Sequence, residues 1–231
     1  VDFGPDSLWQ EQRERLHAEN LRHLFITHSH EDHLYPQLLW YRSKGFSVLE
    51  PDNLLKVYGN VGVMKALADS FAADAKTEEM LQLRSVQLNA FEPVEIPEED
   101  MTFLPLAADH MPSEEPMFFA IRQGEKYALI ANDTGYFPEE SWAELSRYGA
   151  VFDIVILDCT HGVCNSRRGH MGGETIFEVC DRLREIGCVD DRTQLTVNHF
   201  SHNGQGTHTE LEAFFAPRGI RVAFDGMTLE A

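Results

Sequence analysis

Short apolar runs alternate with amphipathic stretches along this chain. Residues 24–26 (Leu-Phe-Ile) read as a buried strand, and so do 54–58, 83–88, 102–106, 151–157, 194–197 and 220–224. Residues 117–122 and 127–132 form two more apolar runs across Gln123-Gly124-Glu125, the pattern of a hairpin. Between the strands lie helical patterns. Val63, Leu67 and Phe71 recur at a spacing of four within 61–73 and predict a packed helical face. Pro138 suits the first turn of a helix running to Tyr148. Residues 174–186 and a polar stretch at 7–20 are also helix-compatible, and 33–40 predict a short helix. Thr209-x-x-Glu212 has the form of a capping box opening a last helix. The alternation predicts an α/β fold in one domain spanning 1–231, with no repeat or interdomain linker.

Composition narrows the class. With 43% hydrophobic residues in 231, the chain can bury a full core. No run of about 18 apolar residues offers a membrane span. The four cysteines, Cys159, Cys164, Cys180 and Cys188, include no Cys-x-x-Cys pair, which predicts reduced thiols and a cytoplasmic protein. The formal charge of −19 and the lack of a Lys/Arg-rich patch argue against an extended nucleic-acid surface. A small anion held by bound cations remains compatible, because the field at a metal site belongs to the ion. The opening Val1-Asp2-Phe3-Gly4-Pro5-Asp6 reads as the end of a strand, so the expectation is that residues upstream of Val1 supply the first strands.

The chemistry concentrates in His28-Ser-His30-Glu-Asp32-His33, at a predicted strand-to-helix turn. Three imidazoles and two carboxylates in six residues are costly to place together without a cation. On an extended segment His28 and His30 point the same way, and the turn lets Asp32 and His33 face a second point. Such a mixed nitrogen and oxygen set suits zinc, manganese or iron rather than calcium. Further chemistry-bearing residues also follow strands: His110, Asp133, Asp158, His161, His170 in Gly169-His-Met-Gly172, and His199. If the strands lie side by side, these loops share one rim. His17 and His23 read as surface or packing residues, and Glu98-Glu99-Asp100 as a solvated turn.

With His110, Asp133 and His199, the HxHxDH motif of 28–33 resembles the metallo-β-lactamase-fold hydrolases, and the resemblance extends from Asp2-Phe3-Gly4 to Asp225-Gly226. It implies an αββα sandwich of two mixed sheets with outer helices and two divalent ions, zinc or manganese. His28, His30 and His110 would hold the first ion and Asp32, His33 and His199 the second, with Asp133 bridging both. A carboxylate at the bridge resembles the phosphodiesterases and glyoxalase-type thioesterases. The antibiotic-hydrolysing members usually carry Cys there. His170 resembles the catalytic histidine of the phosphodiesterase branch, which includes the bacterial phosphonate-pathway cyclic phosphodiesterases and the tRNA 3′-processing endonucleases. In the former, a histidine placed like His202 joins three upstream cysteines in a structural zinc site; those cysteines are not in this sequence.

The expected reaction is therefore hydrolysis of a small phosphate diester, with a cyclic one in view. Two ions about 3.5–4 Å apart can share a hydroxide nucleophile and offset phosphoryl charge. His170 is the candidate general acid, His161 its competitor, and Asp32 is counted with the catalytic residues as well as the ligands. Asp158 reads as a carboxylate that orients a metal-binding histidine. A thioesterase or lactonase is the next class. A tRNA 3′-processing nuclease usually carries a basic arm that this chain lacks. A di-iron redox protein of this fold usually has Glu where His30 stands, and a silent scaffold would not need the full ligand set. A small-molecule partner and no membrane are expected, with room for a homodimer.

Overall fold

The computed structural model describes residues 1–231, which fall into two compact units, Val1–Asn89 and Ala90–Ala231. The first contains α1 (Ser7–Glu14), β1 (His23–Phe25), β2 (Leu55–Gly59), α2 (Val61–Ala73) and β3 (Leu83–Gln87). Its three strands form one sheet in the order β1-β2-β3, all parallel, with Leu24 opposite Val57 and Val57 opposite Ser85. The α2 stripe of Val63, Leu67 and Phe71 packs in one cluster with Leu24, Ile26, Val57 and Leu83. Each such side chain stabilises the unit by roughly 1.5–3 kcal/mol on full burial. Asn60 starts α2, its side-chain oxygen accepting from the Val63 main-chain N–H at 2.9 Å. Phe25 and Tyr58 stack at 4.3 Å between ring centroids, and Tyr58 OH lies 3.1 Å from His23 Nδ1, which makes His23 a packing residue. His17 is exposed beside Glu19.

The predicted helix at 33–40 is instead a 3-10 helix, Pro36–Arg42. Tyr35 precedes proline and is extended (φ −115°, ψ 87°), as the clash with the proline ring demands. The helix therefore starts only at Pro36, leaving His33 in the turn.

The second unit carries β4 (Val94–Ile96), β5 (Met101–Ala107), β6 (Met117–Gln123), β7 (Lys126–Ala131), α3 (Glu139–Tyr148), β8 (Ile154–Asp158), α4 (Glu174–Glu185), β9 (Gln194–Asn198), α5 (His208–Phe215) and β10 (Arg221–Val222). They form a seven-stranded mixed sheet in the order β10-β9-β8-β7-β6-β5-β4. Pairing is antiparallel from β4 to β7 and parallel from β7 to β10. Because β6 is antiparallel to both neighbours, β5 runs in the same direction as β7, β8 and β9. Their C-terminal ends thus share one rim. Leu106, Phe118, Leu129, Val155, Leu157 and Val197 from the sheet share a buried cluster with Trp142 of α3, Val179 of α4 and Phe215 of α5.

Three local expectations change. β8 begins at Ile154 rather than 151, and the short β4 adds a strand between those expected at 83–88 and 102–106. The capping box is formed by Thr207 and Glu210, not Thr209 and Glu212: Glu210 Oε2 accepts from the Thr207 main-chain N–H at 2.8 Å. Both pairs fit the S/T-x-x-E pattern; burial of Leu211 and Phe215 belongs to a helix already running from His208.

Candidate metal centre

In the first unit the turn after β1 is held from Asp2. The Asp2 carboxylate accepts from the Thr27 main-chain N–H at 2.8 Å and from the Thr27 hydroxyl at 3.1 Å, both at Oδ1. Its Oδ2 lies 2.7 Å from His33 Nδ1, so that nitrogen carries the proton and donates. The Thr27 hydroxyl, having given its proton to Asp2, accepts from His28 Nδ1 at 3.0 Å. Two rings are thereby fixed through Nδ1, and both keep an unprotonated Nε2. His28 Nε2 lies 2.7 Å from His30 Nδ1, and His33 Nε2 lies 3.5 Å from Asp32 Oδ2. His28 and His33 are buried, whereas the Asp32 side chain is 65% exposed.

The backbone is shaped for this arrangement. Asp2 is left-handed at φ 61°, a conformation L residues seldom adopt. A Cβ at Gly4 would stand 2.0 Å from the Asp32 carbonyl oxygen, so only glycine lets the opening segment pass the turn.

In the second unit the rim collects the other candidates. Asp133 follows β7, Asp158 ends β8, His199 follows β9 and His110 follows β5. Asp133 and His199 are left-handed, at φ 47° and 58°. Strained backbone at residues this rich in chemistry marks a place where the surroundings over-determine the conformation. Ligand-type atoms of Asp133, Asp158, His170 and His199 all lie within 4.8 Å of one another. Asp133, 3% exposed, holds Oδ1 3.0 Å from His199 Nε2 and Oδ2 3.4 Å from His110 Nε2.

The same tautomer logic recurs here. His110 Nδ1 donates to the Gly169 carbonyl at 3.0 Å. The Thr160 hydroxyl donates to Asp158 Oδ2 at 3.1 Å and therefore accepts from His199 Nδ1 at 2.8 Å. Both rings then turn an unprotonated Nε2 toward the Asp133 carboxylate. Lone pair facing lone pair at 3.0–3.4 Å is unfavourable unless a proton or a cation lies between them. The donor set thus fits divalent metal, with each imidazole oriented through its far nitrogen.

Asp158 is fully buried and organises this rim. It accepts from the main-chain N–H groups of Asp133, Thr160 and Met171 at 3.0–3.1 Å, and its Oδ2 lies 3.0 Å from His170 Nδ1. Burial alone would lower the His170 pKa, but the Asp158 hydrogen bond and the charges of Asp158 and Asp133 outweigh it, and the net shift is upward. His161 stands further out, its ring 6.0 Å from that of His170. His202 is exposed at the start of a 3-10 turn and does not join the rim.

Three positioning residues were not singled out in the sequence. Asp2 appeared only within a three-residue resemblance, and Thr160 looks like any threonine. Asp109 ties three loops together: its carbonyl accepts from Gly135 N–H at 2.8 Å, its N–H donates to Thr134 Oγ1 at 3.0 Å, and its carboxylate meets Gly169 N–H at 3.3 Å. The acidic residue directly before His110 was the only available signal.

Comparison with known proteins agrees with this picture. Residues 1–200 match the model of the beta-lactamase superfamily domain. No curated protein matches the chain by sequence. Among solved structures, a diphosphatase of the PhnP family superposes with a TM-score of 0.70 at 21% identity, covering 100% of this chain and 78% of that one. Human tRNase Z, short form, gives 0.68 at 16% identity, covering 99% and 86%. Zn²⁺-bound PqqB from Methylobacterium extorquens gives 0.69 at 16%, covering 100% and 82%. No helix of this chain is long and apolar enough to cross a membrane. The family match over most of the chain, together with two sheets whose strand ends carry oriented imidazoles and carboxylates, shows that this chain belongs to the beta-lactamase superfamily as a metallo-β-lactamase-fold, metal-dependent hydrolase.

Proposed function

We propose that the protein is a dinuclear metal-dependent phosphodiesterase acting on a small phosphate diester, a cyclic one included. In this reading His28, His30 and His110 hold one divalent ion, zinc or manganese, and Asp32, His33 and His199 hold the other. Asp133 serves both. The observation that carries the reading is the imidazole pattern: His28, His33, His110 and His199 are each anchored through Nδ1 and each present Nε2. Bound ions would supply an activated water and neutralise charge on the phosphoryl oxygens.

The chain's own groups do the rest. Asp2 and Thr27 hold the His28 and His33 rings, and Thr160 holds that of His199. His170, with Nδ1 hydrogen-bonded to Asp158, keeps Nε2 to deliver a proton to the departing alkoxide oxygen. Such donation matters for a diester with a poor leaving group. A phosphate substrate is also in keeping with the neighbours described as a diphosphatase and a tRNase Z. The formal charge of −19 favours a small substrate over a polynucleotide. The four free thiols suit a reducing, cytoplasmic setting.

Side-by-side assays with Zn²⁺ or Mn²⁺ on bis(p-nitrophenyl) phosphate, a thioester and a lactone test the reading. Turnover of the diester supports it. Turnover of the thioester or lactone alone replaces it with the sister activity of the same fold.

A further inference from the structure

His170 is carried by the loop between β8 and α4, and that loop is clamped along residues 167–169. The Tyr136 main-chain N–H donates to the Arg167 carbonyl at 2.9 Å. A Cβ on Gly135 would stand 2.5 Å from the Arg167 carbonyl oxygen, 2.6 Å from Asp109 Oδ2 and 2.9 Å from Arg168 Cα, so the loop lies directly on the turn that follows Asp133. The two arginines of this clamp are used differently. Arg167 is committed: its guanidinium stacks on the Tyr136 ring at 3.8 Å and pairs with Glu178. Arg168 has its Cα pinned, yet its side chain is 86% exposed, and its partner is Asp109, whose Oδ1 lies 3.0 Å from Nη2. The other oxygen of that carboxylate accepts from the Gly169 N–H at 3.3 Å. Asp109 therefore orients the guanidinium and leaves Nε and Nη1 without a protein acceptor.

A chain of formal charge −19 repels anions at long range, so an anionic substrate needs a local cation at the edge of the site. Arg168 stands at such an edge. It is two residues from His170, whose ring lies 4.7 Å from that of His110, and it is paired with the residue directly before His110. Its planar fork of donors matches phosphate oxygens, and an exposed ion pair such as the one with Asp109 contributes too little to keep it from a ligand. In the reading above His170 faces the departing oxygen, and its side chain is 25% exposed. Arg168, far more exposed on the same loop, lies outside His170 on the leaving side. There it meets not the reacting diester but whatever the leaving alcohol carries. We propose that Arg168 is a specificity-determining residue that binds a second anionic group, a phosphate monoester, on the leaving alcohol. The assignment rests on the phosphodiesterase reading and narrows its substrate class to diesters whose leaving alcohol is itself phosphorylated.

Steady-state kinetics of the metal-loaded protein on adenosine 2′,3′-cyclic phosphate, with and without a 5′-phosphate, test the proposal. In both esters the leaving oxygen belongs to the ribose, and only one ribose carries a second anion. The parent should show a kcat/KM about tenfold or more higher for the 5′-phosphorylated ester, the worth of one hydrogen bond to a charged partner. Arg168→Ala should bring the ratio of the two values close to one, and Arg168→Lys should keep part of it. Arg184→Ala removes the same charge from an exposed position in the last turn of α4 and should keep the parent's ratio. An equal loss on both esters in Arg168→Ala would make the residue a support of the loop and overturn the assignment. So would an equal fall of the ratio in Arg184→Ala, which would reduce the preference to overall charge. A parent that cleaves both esters without preference overturns the assignment and leaves the phosphodiesterase reading standing. A parent that cleaves neither removes the reading and the assignment with it.

Discussion

His33 Nδ1 lies 2.7 Å from Asp2 Oδ2, although the two residues are 31 positions apart. This contact decides which nitrogen of His33 carries the proton and which keeps its lone pair. Removing the carboxylate in Asp2→Ala frees the ring to rotate and to change tautomer. Metal affinity should fall by about 10–100-fold, the usual cost of losing an orienting partner. Competition with a chromophoric chelator measures this, and circular dichroism checks that the fold persists. Unchanged affinity would show that His33 needs no such anchor.

Thr160 plays the same part for His199 and also donates to Asp158. Thr160→Val keeps the shape and deletes the hydroxyl, removing one donor from buried Asp158 Oδ2 and the acceptor of the His199 ring N–H. Stability should drop by about 1–3 kcal/mol in urea unfolding, with weaker metal binding. Thr160→Ser should restore both. A valine variant as stable and as metal-competent as the parent would remove Thr160 from the account.

Gly4→Ala tests the close approach of the opening segment to the metal-binding turn. The added methyl would meet the Asp32 carbonyl oxygen at 2.0 Å, and the atoms it meets are all backbone, so the turn must move. A loss of about 1–3 kcal/mol is expected for such overpacking, with reduced metal uptake. A crystal structure of the variant with Asp32 and His33 undisplaced would contradict this.

The cysteines provide a pH-dependent prediction. Cys164 is exposed, whereas Cys159, Cys180 and Cys188 are buried. Burial, with the neighbouring Asp158 charge adding to it, pushes the Cys159 thiol up to about 12; burial and Asp181 take Cys180 to about 12, and burial alone takes Cys188 to about 11. Raised thiol values mean little thiolate at pH 8, and the thiolate is the reactive form. Ellman's reagent should therefore titrate one thiol rapidly in the native protein at pH 8 and all four in denaturant. Rapid reaction of a second native thiol would mean that one of the three is not packed as described.

Much of this architecture is legible in the residues themselves, for physical reasons. The turn 28–33 is readable because its ligand-type residues are contiguous and follow a strand of three apolar residues. Asp133, Asp158 and His199 are readable because apolar runs end directly before them, which places them at strand ends. The Asp2–His33 and Thr160–His199 contacts were not, since they span 31 and 39 positions and use residue types that are common everywhere. β4 was missed because three residues flanked by Pro93 and Pro97 carry almost no periodic signal. The helix at 33–40 failed because Pro36 bars α-geometry at Tyr35, and the misplaced capping box shows how two overlapping patterns are separated only by which leucine and phenylalanine reach the core.

The central claim is phosphodiester cleavage with a proton delivered by His170. It is tested most directly by kcat/KM on a 2′,3′-cyclic nucleotide and on bis(p-nitrophenyl) phosphate, for the parent and for His170→Ala at equal metal content. The cyclic substrate has a poor leaving group, and nitrophenolate departs without help. The account predicts that the parent cleaves both diesters. The variant should lose about 10²–10⁴-fold on the cyclic one and less than about tenfold on the activated one. Failure of the parent to cleave either diester, or an equal loss on both substrates in the variant, would contradict it.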